Sequence, residues 1–217
     1  MDTHEYLKNF YERSKIEFIV YEFLKNCFSY PDKKIYKSIQ ETPLKKVSEN
    51  INLKQALDGL PPLSHLQVIY TSYFDVPFGK GCDLRESGHL KNKMAVSKII
   101  LECKSFYKNF GLYLPPNELP DYIDIELEFV YYLVSLVLRE LQKGDIKVGR
   151  VLTLATAQKD FLERHLLPFM SSLQKCLNKR DELRFYNQIA HFGIRFLGEE
   201  KDFLEEFLHA LKGKLEF

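Results

Sequence analysis

Apolar residues recur three and four positions apart along nearly the whole of this chain, and no run of strict alternation stands between turn residues to seed a sheet. A chain that can segregate its apolar side chains only at a period near 3.6 buries them helix on helix. The expected fold is therefore all-α, a compact bundle of about eight to ten helices. One long amphipathic helix is expected over residues 4–29, ended by the SYPD turn, with a short helix through Ile39. Pro43, Gly59, Pro61 and Pro62 interrupt the next stretch, and LSHLQVIYTSYF forms a further helix ending at Phe74. The segment DVPFGKGCDLRESG reads as an irregular exposed loop, which makes residues 75–89 a candidate hinge. Helices follow over 90–110 and from Pro120 to just before Gly144. Three or four more are expected over 146–215, broken near Pro168, Asn178–Asp181 and Gly198. At 217 residues the chain can bury a core without help from a cofactor or disulfide, and 1–217 reads as a single helical domain.

Charge and composition exclude several classes of function. A net charge of +1 leaves no basic field, which argues against nucleic acid as a partner. The most apolar stretch, 125–138, contains Glu126 and Glu128 and is too short to span a bilayer, so no stable membrane insertion is expected. The charged start MDTHEYLKNFYERSK is unlike a secretory leader, and the expected location is cytoplasmic. Cys27, Cys82, Cys103 and Cys176 form no CxxC pair and read as buried or incidental thiols. The six histidines show no metal-ligand spacing, so neither a metal nor another cofactor is expected. The fragment Gly79-Lys80-Gly81 lacks the remainder of any phosphate-binding motif, and no nucleophile motif is present.

The run ELPDYIDIELEF, residues 118–129, holds Glu118, Asp121, Asp124, Glu126 and Glu128 without one basic side chain. Acids are favoured in a first helical turn, which accounts for some of them. Projected at 100° per residue, Asp121, Asp124 and Glu128 fall on the polar face, whereas Glu126 lies among Phe129, Val130, Leu133 and Val137. A carboxylate there must be hydrogen-bonded, paired or protonated, with His165, Gln158 and Arg150 as candidate partners. Gln158 and His165 likewise fall on the apolar side of the helix over 151–167, giving a structural polar core of Glu126, Gln158 and His165.

These residues carry a resemblance to the TorD/DmsD/NarJ group of maturation chaperones for molybdenum-cofactor oxidoreductases. Tyr70 to Phe74, YTSYF, is similar to the family's Tyr-x-x-Leu-Phe, and Arg85-Glu86-Ser87 to its Tyr-Glu-Ser. Residues 118–129 match its Glu-x-Pro-Asp-His-Ile-x-x-Glu-Leu-x-Phe, with Tyr122 in place of histidine. Residues 157–169, AQKDFLERHLLPF, resemble its Gln-x-x-Phe-Leu-x-x-His-Leu-x-x-Trp, with Phe169 in place of tryptophan. The resemblance implies a non-enzymatic, cytoplasmic chaperone, monomeric or homodimeric, without a cofactor of its own. Its partner would be an apo-molybdoenzyme catalytic subunit or that subunit's twin-arginine signal peptide, held while the cofactor is inserted. By the same resemblance, the client groove is expected at Glu118, Pro120, Asp121, Tyr122, Tyr73 and Phe74. Asp121 is expected there as an exposed first-turn acid whose change to Lys leaves stability nearly unaltered. Two other classes stay open: a permanent helical subunit of an oxidoreductase complex, and a helical metal-dependent hydrolase built on the carboxylates.

Overall fold

The computed structural model describes residues 3–43, 57–75 and 81–215. It is all-α: α1 (Thr3–Phe28), α2 (Lys33–Gln40), α3 (Leu63–Tyr73), α4 (Lys93–Asn109), α5 (Ile123–Leu141), α6 (Val148–Phe161), α7 (Leu167–Leu177) and α8 (Arg184–Leu215). A π-helical turn, Leu162–Leu166, joins α6 to α7 without a break, so the described residues form seven helical rods. That is fewer than the sequence breaks suggest, for identifiable reasons. Pro168 directly follows the π turn, where the ladder has shifted to i→i−5 bonding, and so is accommodated without ending the helix. Gly198 lies inside α8, whose exposed side tolerates a residue without a side chain.

Spacing explains the central pair. Leu7, Phe10, Ser14, Glu17, Tyr21, Leu24 and Phe28 are all buried and follow one another at alternating steps of three and four, forming a single stripe along α1. This stripe packs lengthwise against α5, whose Ile123, Leu127, Val130, Val134 and Val137 are fully buried. α8 closes the far side against α1, α6 and α7, and Phe10 stacks on Phe207 at 4.1 Å.

Side-chain caps set the ends of the short elements. Asp32 accepts from Ile35 N at 2.7 Å to start α2, and Asn92 accepts from Met94 N at 2.9 Å to start α4. α4 stops where Gly111 takes φ +76, a left-handed cap that glycine adopts without strain.

The expectation of an exposed irregular loop fails for the described residues 81–90, which form a partly buried strap. Cys82, Leu84, Glu86 and Ser87 are buried, and Glu86–His89 is a turn of 3-10 helix. Cys82 is bonded to Cys176 of α7 across 94 positions, which corrects the reading of these two as thiols; Cys27 and Cys103 are free and buried. Gly81 is required where the strap meets α3, because a Cβ there would lie 1.8 Å from the Tyr73 carbonyl oxygen.

Candidate functional site

The strap runs antiparallel to the turn that opens α5. Glu86 N donates to Asp121 O at 2.8 Å, and Ile123 N to Leu84 O at 2.9 Å. Residues Arg85 and Tyr122 thus form an isolated bridge between two segments far apart in sequence. The Asp121 side chain completes the junction, its Oδ2 accepting from Ser87 N at 3.0 Å. Tyr107 O–H donates to Pro120 O at 2.6 Å from beneath. On the strap's other flank, His89 Nε2 meets Asp83 O at 2.8 Å and Nδ1 meets Ser172 Oγ at 3.0 Å, with the ring 5.4 Å from Phe169.

Behind the junction lies a buried polar cluster assembled from four elements. His165 Nδ1, on the π turn, stands 2.9 Å from Glu86 Oε2 and 3.6 Å from the Cys103 Sγ of α4. The π turn, which widens the helix by one residue, carries His165 against the strap. Phe161 and Phe106 fix the imidazole, with centroids at 4.8 and 5.6 Å. Glu126 of α5 is completely buried, with no backbone or basic side-chain donor on its oxygens and the Glu86 carboxyl beside it. Burial, then the adjacent Glu86 and Asp121 carboxyls, push its pKa well above the ordinary carboxylate value, which favours the protonated form. Burial, then Glu126 and Glu86, raise the Cys103 thiol as well.

The partners expected for Glu126 are therefore not its partners. His165 turns to Glu86, Arg150 pairs with Glu140 at 3.4 Å, and Gln158 donates to the Glu17 Oε2 of α1 at 2.9 Å. Gln158 thus belongs to a separate polar cluster with Glu17, while His165 shares the cluster behind the strap with Glu126 but bonds Glu86 rather than Glu126. Glu17 escaped the sequence reading, although its place in the α1 stripe of every third and fourth residue was there to be seen. Burial raises its pKa to about 7, against the lowering effects of the Gln158 hydrogen bond and nearby Arg13. Arg13 itself bonds Glu200, buried on α8.

The outer face of the junction is aromatic and acidic. Tyr122 is half-buried, with Asp83, Asp124 and Asp75 as its charged neighbours and Arg85 as the cation among them. Arg85 is already engaged: its Nε and one terminal nitrogen grip the Asp83 carboxylate at 2.9 and 2.6 Å. Burial pushes Asp83 up, but these bonds outweigh it and hold the carboxyl below its ordinary value. Tyr70 borders the same patch. Burial, then Asp124, Tyr122 and Asp75, raise its phenol. Its ring meets Tyr30 edge-on at 5.5 Å, and Tyr30 is 49% exposed.

The residues expected to line a groove divide in two. Glu118 is exposed, while Tyr122 and Tyr73 are half-buried, the Tyr73 ring carrying the Arg180 guanidinium at 5.4 Å. Pro120, Asp121 and Phe74 are buried. Phe74 packs edge-on between Tyr70 at 5.3 Å and Tyr186 at 4.7 Å, so it supports the patch from within. Asp121, 1% exposed, is a fastener rather than a surface acid, and the expectation that its change to Lys leaves stability unaltered is withdrawn. Of the remaining acids in the run, Asp124 faces Ser29 at 3.4 Å and Glu128 pairs loosely with Lys25 at 3.7 Å. Glu128 also stands at the edge of a cavity of about 400 Å³ lined chiefly by Phe18, Leu112, Ile125, Tyr131 and Tyr132.

Strap, α5 entry turn and π turn thus converge on one buried cluster within an all-helical bundle. The family model described as nitrate reductase delta subunit matches residues 42–175, and the chain belongs to this family, of NarJ/TorD type. It is also 32% identical over 115 residues to a perchlorate reductase assembly chaperone protein of Dechloromonas aromatica (strain RCB). That alignment covers 52% of this chain and 48% of the relative, so the chain spans about half the length of the protein it matches.

Proposed function

We propose that the protein is a system-specific assembly chaperone for a redox enzyme, and that it is not itself an enzyme. It binds a segment of the apo catalytic subunit of a molybdenum-cofactor oxidoreductase and holds it for cofactor insertion in the cytoplasm. The observation that carries this reading is the patch around Tyr122, where Asp75, Asp83 and Asp124 surround half-exposed tyrosines and the neighbouring cation is already spent on Asp83. Such a surface favours a basic, partly apolar peptide, as a twin-arginine signal is. The relative's printed role and the family membership support it. Among the described residues no helix is long and apolar enough to cross a membrane, which agrees with a client met away from the bilayer.

Magnitudes assign the parts. Micromolar affinity requires about 8 kcal/mol, and an exposed ion pair contributes at most about 1 kcal/mol. Apolar burial therefore supplies most of the binding, with the aromatic cavity beside Glu128 as its site. The carboxylates orient the peptide and reject acidic ones.

Coexpression of the chain with a candidate catalytic subunit tests the role. The expected complex contains subunit lacking cofactor and disappears once the cofactor is loaded. A stable stoichiometric complex with the finished holoenzyme would refute the chaperone reading and make the chain a permanent subunit.

A further inference from the structure

The cluster behind the strap has the composition and spacing of a metal site. The ligand atoms of Glu86, Cys103 and His165 all lie within 4.8 Å of one another, with closest pairs at 2.9 and 3.6 Å. Ligands 2.0–2.3 Å from a tetrahedral ion stand about 3.3–3.7 Å apart, so these side chains need only small shifts to converge on one centre. A fourth group, Glu126, stands beside Glu86 and Cys103. Glu126 has both oxygens buried with no Lys, Arg or backbone donor on them, and its titratable neighbours are Glu86, Asp121 and the Cys103 thiol. No Lys or Arg is among the neighbours acting on Glu126 or Cys103, so no basic side chain occupies the place a cation would take.

We infer that Glu86, Cys103, Glu126 and His165 form a structural site for a divalent cation of the zinc class. One nitrogen, one sulfur and two carboxylate oxygens suit a borderline ion, whereas calcium and magnesium demand oxygen alone. The site is closed: Cys103, Glu126 and His165 are 0% exposed and Glu86 is 6% exposed, leaving no open position for substrate. Binding breaks the Cys103 S–H bond and the Glu126 O–H bond as metal–sulfur and metal–oxygen bonds form, and both protons pass to solvent. Each ligand comes from a different element, so the ion would clamp strap, α4, α5 and π turn together directly beneath the Arg85–Tyr122 junction. Sequence spacing could not show this, because the four residues are scattered over some eighty positions.

The test uses the full chain, stripped of metal, kept free of reductant so that Cys82–Cys176 stays closed, and titrated with cobalt(II). A thiolate-to-cobalt charge-transfer band and tetrahedral visible bands should saturate at about one ion per chain, and zinc should abolish them. Cys103→Ser should remove the charge-transfer band and weaken zinc binding by at least about 10–100-fold, while Cys27→Ser changes neither. If Cys103→Ser fails to fold, the wild-type and Cys27→Ser spectra decide alone. Absence of a charge-transfer band in the wild type, or its persistence in folded Cys103→Ser, overturns the inference and leaves a hydrogen-bonded polar cluster.

Discussion

Replacing Glu17 by Gln should flatten the pH dependence of stability. In the folded chain Glu17 keeps its proton up to about pH 7, because its surroundings on α1 and α6 are dry. Unfolded, the same carboxyl loses its proton near its ordinary value of 4.5. Between those values the folded state binds more protons than the unfolded state, so stability falls as pH rises through the window and levels off above it. A shift from 4.5 to about 7 corresponds to about 3 kcal/mol in total. Glu17→Gln keeps an oxygen to accept from Gln158 Nε2 and has no proton to lose. Urea denaturation of both proteins from pH 4.5 to pH 8 isolates this group, because other titrations cancel in the difference. The variant should gain on the wild type by up to about 3 kcal/mol across the range. Parallel curves would show that Glu17 ionises normally and that the dry environment assigned to it is wrong.

Other consequences follow from the strap. Denatured without reductant, the chain should present two thiols, Cys27 and Cys103, to a thiol reagent, and four would contradict the Cys82–Cys176 bond. Reducing that bond should lower stability by about 4–5 kcal/mol in the loop-entropy account, read as a drop in urea midpoint. Asp121→Lys should destabilise by about 2–4 kcal/mol by stranding Ser87 N and burying an unpaired cation, and an unchanged melting temperature would refute the fastener role. Gly81→Ala should cost about 2 kcal/mol or more, since the strap must move off the Tyr73 carbonyl, and a neutral result would mean the strap is looser than described.

Helical period made the fold class legible, and the α1 and α5 faces can be read directly from residue spacing. The placement of Glu126 on an apolar face was legible for the same reason. Its surroundings were not, because Glu86, Cys103 and His165 reach it from elements that only tertiary packing brings together. Asp121 illustrates the opposite failure: its position at the mouth of a helix reads as exposed, and a strap 34 positions earlier covers it. Helix count was overstated at Pro168 and Gly198, where breaker residues sit at places that accept them. Cys82 and Cys176 could not be paired from sequence, since 94 positions separate them and spacing carries no contact information.

The central claim is that the Tyr122 patch receives a basic and apolar client segment. Calorimetric titration of the chain with a peptide carrying Arg-Arg and an apolar run tests it most directly, with Asp75→Lys and Tyr122→Ala as variants. Asp75 is exposed and Tyr122 half-exposed, so both variants should melt near the wild type. The account predicts micromolar binding, weakened by about tenfold or more in each variant and by replacement of the two arginines with glutamine. Equal affinity of wild type and both folded variants for the peptide would contradict it.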